Sequence, residues 1–308
     1  MQSGKEGNDM SNMHAVTGAF GFSGSRIARQ LLEKDREVIT LTNSSDRDNK
    51  FEGAIKAFPL CFDDPARLEE SLKGVSVLYN TYWIRFNTPV DDHTLAYHNT
   101  LKLFAAAKRA GVERIVHISI TNPSTDSSLD YFREKAQVEE RLKELGITYA
   151  ILRPAVIFGE NSILINNIAW SLRKLPVFGY FGRGEYEIQP VHVEDLARLA
   201  VQAGESRKNS IINAVGPEKF KYKDLVRTIA EVIGKKPLIL PAPEFAGYLA
   251  GLLIGKMVGD VMMTRDELRA LTAGLLSVDS EPTGRIRLTE WMKDNAETLG
   301  IEYAKSLR

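Results

Sequence analysis

Cysteine is almost absent from this chain: Cys61 is the single one among 308 residues. An internal disulfide framework and any cysteine-rich zinc site are thereby excluded, and a reducing, cytoplasmic setting is expected. A charge excess is absent too. Forty lysines and arginines face forty aspartates and glutamates, which removes the electrostatic footprint of a nucleic-acid partner or an anionic membrane surface. His14, His93, His98, His117 and His192 fall into no ligand spacing such as H-E-x-x-H, so no metal site is expected. His14 and His117 read as satisfied core groups within strands. Long hydrophobic runs are missing as well. The most apolar stretch, Phe245–Gly259, contains Lys256 and is too short to span a bilayer; it reads as a lobe-packing helix. Met1–Asn12 is polar with no apolar core, unlike a secretory signal, and is expected to be a disordered tail or a remnant of expression.

What the chain does have is the balance of a soluble globular protein, 44% hydrophobic and 26% charged, enough apolar material for a sizeable core. Its length allows one large α/β unit or two smaller ones. Strand-like and helix-like segments alternate through the first half, the signature of βαβ units and a parallel sheet. Strands are predicted at His14–Thr17, Glu37–Thr42, Ile55–Pro59, Val75–Asn80, Arg114–Ile118 and Thr148–Leu152. Helices are predicted between them, at Ser25–Lys34, Pro65–Lys73, Thr94–Ala110 and Asp130–Leu145. After Arg153 and Pro154 the rhythm changes, and helices are expected to outnumber strands. They are predicted at Ser162–Leu175, Val193–Ala203, Tyr222–Ile233, Thr264–Ala273 and Leu288–Leu299. The expected architecture is a Rossmann-type, doubly wound parallel sheet over residues 13–158 with a smaller, mainly helical substrate lobe over 159–308. The two are expected to interleave into one compact body, as a monomer or homodimer.

Directly after the first strand stands Thr17-Gly18-Ala19-Phe20-Gly21-Phe22-Ser23-Gly24, a G-x-x-G-x-x-G spacing that opens a helix. Glycines allow a positive φ in the turn and a close approach of backbone to a diphosphate, while the helix N-terminus offers N–H groups to that anion. Gly18, Phe20, Gly21, Phe22, Ser23 and Gly24 are therefore candidate cofactor residues. At the second strand's end, where a carboxylate would bind adenosine ribose hydroxyls, the chain has Thr42, Asn43 and Ser44, with Arg47 beyond. Small polar groups and an arginine suit a ribose phosphate, so NADP is favoured over NAD.

Tyr131 and Lys135 form a Y-x-x-x-K pair on the helix after the fifth strand. Residues four apart share a helix face, and a nearby cation lowers a phenol's pKa toward the range useful for proton transfer. Strand five ends in Ser119, with Thr121 two residues on. Either hydroxyl is a candidate partner for a reacting oxygen, Ser119 first and Thr121 as the fallback, and either can equally cap the strand end. Trp170, Phe178, Tyr180 and Phe181, with Phe245–Gly259, are candidates to wall an apolar substrate cavity.

These motifs together resemble the short-chain dehydrogenase/reductase superfamily in its extended and atypical branches. TGAFGFSG, NTYW at Asn80–Trp83, HIS at strand five, YFREK and LRPAVIFG at Leu152–Gly159 carry the resemblance, which runs from about Met13 to Leu299. Within it the chain looks most like NmrA-like proteins and the dehydrogenase-like accessory subunit of respiratory complex I, a likeness that Gln189–Ala197 supports. The resemblance implies Tyr131 as acid/base, Lys135 on the nicotinamide ribose and Ser119 on the reacting oxygen. It further implies Phe62 and Asp63 near adenine, Thr81, Tyr82, Trp83 and Ile118 along the cofactor, and Pro154, Val156 and Ile157 at the nicotinamide. Three positions depart from the pattern: Ile120 follows Ser119 where a second hydroxyl is frequent, Cys61 stands at an acidic position, and Ile188 replaces a diphosphate-binding arginine. An apolar side chain cannot pair with phosphate, which lowers the sugar-nucleotide reading.

The expected function is an NAD(P)-dependent oxidoreductase acting on a small or apolar carbonyl or alcohol substrate. Two alternatives stand beside it: a non-catalytic dinucleotide-binding sensor or respiratory assembly protein, and an NAD-dependent epimerase or dehydratase.

Overall fold

A computed structural model describes residues 12–44, 51–88, 91–243, 251, 254–256, 258–261 and 263–305. Arg47 and most of the apolar stretch 245–259 lie outside the described residues.

The first half runs β1 (Met13–Thr17), α1 (Phe22–Leu32), β2 (Glu37–Leu41), β3 (Lys56–Phe58), α2 (Pro65–Glu70), β4 (Val77–Asn80), α3 (His93–Arg109), β5 (Arg114–Ile118), α4 (Asp130–Glu144) and β6 (Thr148–Pro154). The second half runs β7 (Ile157–Phe158), α5 (Ile163–Lys174), β8 (Val177–Phe181), β9 (Glu187–Ile188), β10 (Val191–His192), α6 (Val193–Glu205) and β11 (Ser210–Ala214). It continues with β12 (Phe220–Lys221), α7 (Tyr222–Val232), β13 (Leu238–Ala242), α8 (Arg265–Thr272) and α9 (Leu288–Asp294). Local signals account for the ends. Asp92 caps α3 through Leu95 N–H at 2.6 Å, Asp64 caps α2, and Thr264 with Glu267 forms a reciprocal capping box on α8.

Seven strands form one sheet in the order β11-β6-β5-β4-β1-β2-β3, and every pairing in it is parallel. A parallel sheet is covered on both faces, which is why its strands read as apolar runs rather than alternations. One face packs against α1 and α6, with Ile27, Leu31, Leu196 and Val201 in the core. The other packs against the α2–α4 side, with Leu68, Leu103, Phe104 and Leu142. Strand order reverses between β1 and β4, the switch point at which such sheets open a crevice beyond their strand ends.

Beyond β6 helical residues predominate as expected, but the expectation that helices outnumber strands needs correction. Among the described residues, seven short strands accompany five helices. β7 pairs with β10, β9 with β12 and β8 with β13 outside the main sheet, while α6 and β11 return to it. Several of these strands hold two residues, too few for a periodicity to register. The last helix, predicted to run to Leu299, ends at Asp294. A third core, including Phe158, Ile168, Leu225, Leu271 and Met292, gathers the remaining elements. His14 and His117 are buried in strands as expected, but the satisfaction expected of them is incomplete. His117 Nδ1 pairs with Asn80 at 3.1 Å, whereas His117 Nε2 and His14 Nδ1 lack partners among the described residues.

Asp195 ties the chain's end to this body. Its buried carboxylate accepts from the backbone N–H groups of Arg285 at 2.7 Å and Ile286 at 2.8 Å, and from Arg198 at 3.1 Å. Truncation leaves two partly buried backbone donors without an acceptor and removes one of the acceptors of Arg198, which still donates to Thr283 and Gln202. Asp195→Ala is therefore expected to lower unfolding free energy by about 2 kcal/mol, read as a lower urea midpoint in equilibrium denaturation.

Candidate functional site

The turn from β1 into α1 is built by close backbone contact. Gly18 adopts φ 64°, its N–H donates to the Leu41 carbonyl at 2.9 Å, and its own carbonyl accepts from Gly21 N–H at 2.8 Å. A side chain on Gly24 would put its Cβ 2.3 Å from the Gly18 oxygen, so that glycine lets the helix start directly against the turn. Gly21 caps α1 with no side-chain hydrogen bond, which leaves the helix N-terminus to a ligand. These features fit a dinucleotide diphosphate. Gly21, Phe22 and Ser23 would hold it, with the Arg26 guanidinium beside them, paired at 3.0 Å with Glu194.

From this helix start a cavity of about 1200 Å³ runs along the strand ends into the seam with the second lobe. It brings together Phe20, Gly21, Phe22 and Ser23 with Thr81, Trp83, Ile118, Ser119, Tyr131, Lys135, Pro154, Val156 and Ile157. Gly18 and Gly24 shape the turn beneath it without lining it. Several residues expected at the cofactor lie outside this cavity: Thr42, Asn43 and Ser44 on the ribose side, Phe62 and Asp63 near adenine, and Tyr82 along the cofactor. Several of these serve the scaffold. Asn43 Oδ1 accepts from Leu60 N–H at 3.1 Å, and Thr42 Oγ1 from Ser44 N–H at 3.1 Å. Phe62 packs tilted against Tyr82 at 5.0 Å, and Asp63 faces Lys102 at 3.8 Å.

Tyr131 and Lys135, one turn apart on α4, both face the cavity. The Tyr131 ring meets the edges of His93 at 5.2 Å and Trp83 at 6.1 Å. Its desolvated surroundings, with Glu267 adding to the effect, push the phenol pKa upward, so it stands as a neutral proton donor. Lys135 is fully enclosed: Nζ donates to the Ile118 carbonyl at 2.7 Å and sits 4.3 Å over the Trp83 ring. Burial lowers its pKa to about 7, against an opposing pull from Glu139. The Ser119 hydroxyl donates to Glu139 Oε1 at 2.5 Å, and Thr121, off the cavity, donates to the Leu275 carbonyl at 2.9 Å.

Of the four aromatic residues suggested as cavity walls, Phe178 alone lines it. Trp170 instead meets Tyr303 at 5.3 Å, Tyr180 is buried in the third core, and Phe181 lies off the cavity. The sequence reading missed His93, Arg85 and Glu267. Arg85, after β4, reaches α8 and pairs with Glu267 at 2.6 Å across a sequence separation of 182 residues, which no local pattern encodes. It also missed Glu139 and Arg153, which pair beneath Ser119. Glu139 lies four residues after Lys135, so helical spacing was an available signal for it. Among the described residues no group of acidic, cysteine and histidine side chains could hold a metal ion, and no helix is long and apolar enough to cross a membrane.

Two outcomes follow from this geometry. Gly24→Ala is expected to weaken binding of NADPH and NADH at least about tenfold, read by nucleotide fluorescence titration, because the atoms its Cβ would meet are backbone. For Lys135, unfolding restores an ordinary pKa near 10.4, so between about pH 7 and pH 10 the unfolded chain holds the extra proton and stability rises with pH. At and below pH 7 the buried charge carries its full penalty. Cofactor-free Lys135→Met should therefore gain melting temperature relative to wild type at pH 6, with the gap shrinking toward pH 10.

Comparison with known proteins agrees with this construction. Residues 18–167 match the NAD(P)H-binding family. The chain is 26% identical over 286 residues to the mitochondrial NADH dehydrogenase (ubiquinone) 1 alpha subcomplex subunit 9 of Arabidopsis thaliana, covering 86% of this chain and 71% of that one. In fold it is similar to triphenylmethane reductase of Citrobacter sp., with a TM-score of 0.68 at 21% identity over 92% of this chain and 99% of that one; that enzyme is also known complexed with NADP(H). It is similar too to the UDP-glucose 4-epimerase of Thermotoga maritima, with a TM-score of 0.67 at 21% identity over 92% of this chain and 97% of that one. Residues 18–167 thus form an NAD(P)H-binding domain, whose parallel sheet and glycine turn share their fold with NAD(P)-dependent reductases and epimerases.

Proposed function

We propose that the protein is an NAD(P)-dependent oxidoreductase acting on an apolar carbonyl or alcohol, with Tyr131 as its acid/base. The observation that carries this reading is the continuity of one cavity from the α1 N-terminus to Tyr131 and Lys135. The cofactor, when bound, supplies or accepts the hydride. The chain's part is positional and protic. Gly21, Phe22 and Ser23 hold the diphosphate; Lys135 is available to ribose hydroxyls; and Tyr131, kept neutral by its surroundings, gives its proton to the substrate oxygen in reduction, the phenolate so formed taking it back in the reverse direction.

The far end of the cavity is walled by Leu164, Ile168, Phe178, Met263 and Leu271, a lining that favours an apolar substrate body. Ile188 is fully buried in the lobe core and offers nothing to a nucleotide diphosphate, which weighs against a sugar-nucleotide substrate. A binding-only role is the second reading. The observation favouring it is that Lys135 spends its hydrogen bond and its charge on Ile118 and Trp83.

The two separate in one assay. NADPH and NADH oxidation is followed across a panel of apolar ketones and aldehydes, wild type against Tyr131→Phe. Loss of the phenol is expected to lower kcat by about 100-fold or more while the cofactor Kd stays unchanged. Equal turnover by both proteins would remove Tyr131 from the chemistry, and tight cofactor binding without any turnover would favour the binding-only role.

A further inference from the structure

The end of β5 carries two hydroxyls, Ser119 and Thr121, and both already donate their single proton within the protein. Thr121 gives its proton to the Leu275 carbonyl at 2.9 Å. Ser119, which lines the cavity, gives its own to Glu139 Oε1 at 2.5 Å. The direction of this second bond is fixed by what stands behind it. Arg153 donates to both carboxylate oxygens of Glu139, Nε at 3.0 Å and 3.2 Å and Nη2 at 2.5 Å. A carboxylate held by a guanidinium fork is an acceptor only, so the shared proton belongs to the serine. Glu139 is 1% exposed, and its oxygens are filled by these two partners.

A hydroxyl has one proton and two lone pairs. With the proton committed inward, Ser119 presents lone pairs to the cavity. Beside Ser119 on the wall, Lys135 through its ammonium and Tyr131 through its neutral phenol are donors, and the neutral His93 imidazole, 5.2 Å from the Tyr131 ring, can donate or accept. A ketone oxygen can accept from these donors but has nothing to offer Ser119. A hydroxyl on the ligand can accept from a donor and give its own proton to Ser119.

We propose that Glu139 is a positioning residue that turns Ser119 into a hydrogen-bond acceptor, so that the site selects ligands whose polar head carries a donor: alcohols over ethers or ketones of the same shape. This rests on the reading of the cavity as the substrate site given above, and it concerns which ligand is held rather than how hydride moves.

The test uses the full chain saturated with NADPH or NADH, whichever it holds more tightly, and reads binding rather than turnover. The probes are 2-decanol and its methyl ether, neither of which can be reduced, competed against a fluorescent apolar dye in the cavity. Wild type is expected to bind the alcohol about tenfold more tightly than the ether. Ser119→Ala, which removes one oxygen, is expected to cut that preference to about threefold or less. The double variant Glu139→Leu with Arg153→Leu removes the buried carboxylate together with its partly exposed guanidinium partner, a change that proteins often tolerate; it frees the serine proton and should raise ether affinity toward that of the alcohol. A second readout needs no ligand at all: proton NMR should show a slowly exchanging, downfield hydroxyl resonance that disappears in Ser119→Ala. Absence of that resonance, or equal binding of alcohol and ether by wild type, would overturn the proposal. Failure of the oxidoreductase reading is distinguishable, because it shows as absent turnover with the alcohol preference and the resonance intact.

Discussion

The Thr17 hydroxyl is the point on which the site is hung. Pairing between β1 and β4 ends at Val16 and Tyr79, after which the two chains must part. The first N–H groups beyond β4 then lose their sheet partners, and a buried amide without an acceptor is costly. Thr17 Oγ1 takes both, from Thr81 at 2.7 Å and Tyr82 at 3.0 Å, while Thr81 returns its own hydroxyl to the Thr17 carbonyl at 2.6 Å. One residue therefore ends the pairing and fixes how far the strand ends separate. On one side of that gap the glycine turn enters α1; on the other the chain runs to Trp83, whose face carries the Lys135 ammonium. The crevice at the switch point is a consequence of this knot, and the cavity is its extension toward the second lobe.

Much of this was legible in the sequence because the signals are local. Runs such as Glu37–Leu41 and Arg114–Ile118 are apolar without alternation because both faces of the sheet are covered, and helical spacing delimited α3 and α4 to within a residue or two. The spacing of Gly18, Gly21 and Gly24 encodes a backbone approach that any side chain would block. What remained illegible is set by pairing at long range. β7, β9, β10 and β12 hold two residues each, and their existence depends on which distant segment lies alongside. The return of β11 to the edge of the main sheet, beside β6, leaves no mark in its own composition.

The site divides along the same line. Tyr131, Lys135 and Ser119 belong to one helix and the strand before it, so spacing and resemblance could single them out. Their functional state could not be read there. Whether Ser119 donates or accepts is decided by Glu139, and Glu139 is held by Arg153 from the next strand, so three elements must meet before the hydroxyl acquires a direction. The pairing of Arg85 with Glu267 is likewise a property of how the second lobe is set on the first. Resemblance names positions; the polarity of a hydroxyl is a property of its surroundings.

A sequence that specifies one fold satisfies its buried polar groups almost everywhere, and departures gather where a ligand must complete the structure. Some of them lie on the cavity wall. Trp83 Nε1 is buried with no partner among the described residues, while the same ring lies between the Lys135 ammonium at 4.3 Å and the His93 ring at 6.3 Å. Lys135 is enclosed at a cost that its lowered pKa records. Each of these is unfavourable for a protein that only needs to fold, since a methionine or leucine at position 135 would pack without charge. Their coincidence around one aromatic ring, within reach of the helix start that suits a diphosphate, is what separates this cavity from a packing defect. A void left by imperfect packing is lined by groups that lose contacts, whereas this one also carries a buried polar atom, Trp83 Nε1, without a partner among the described residues.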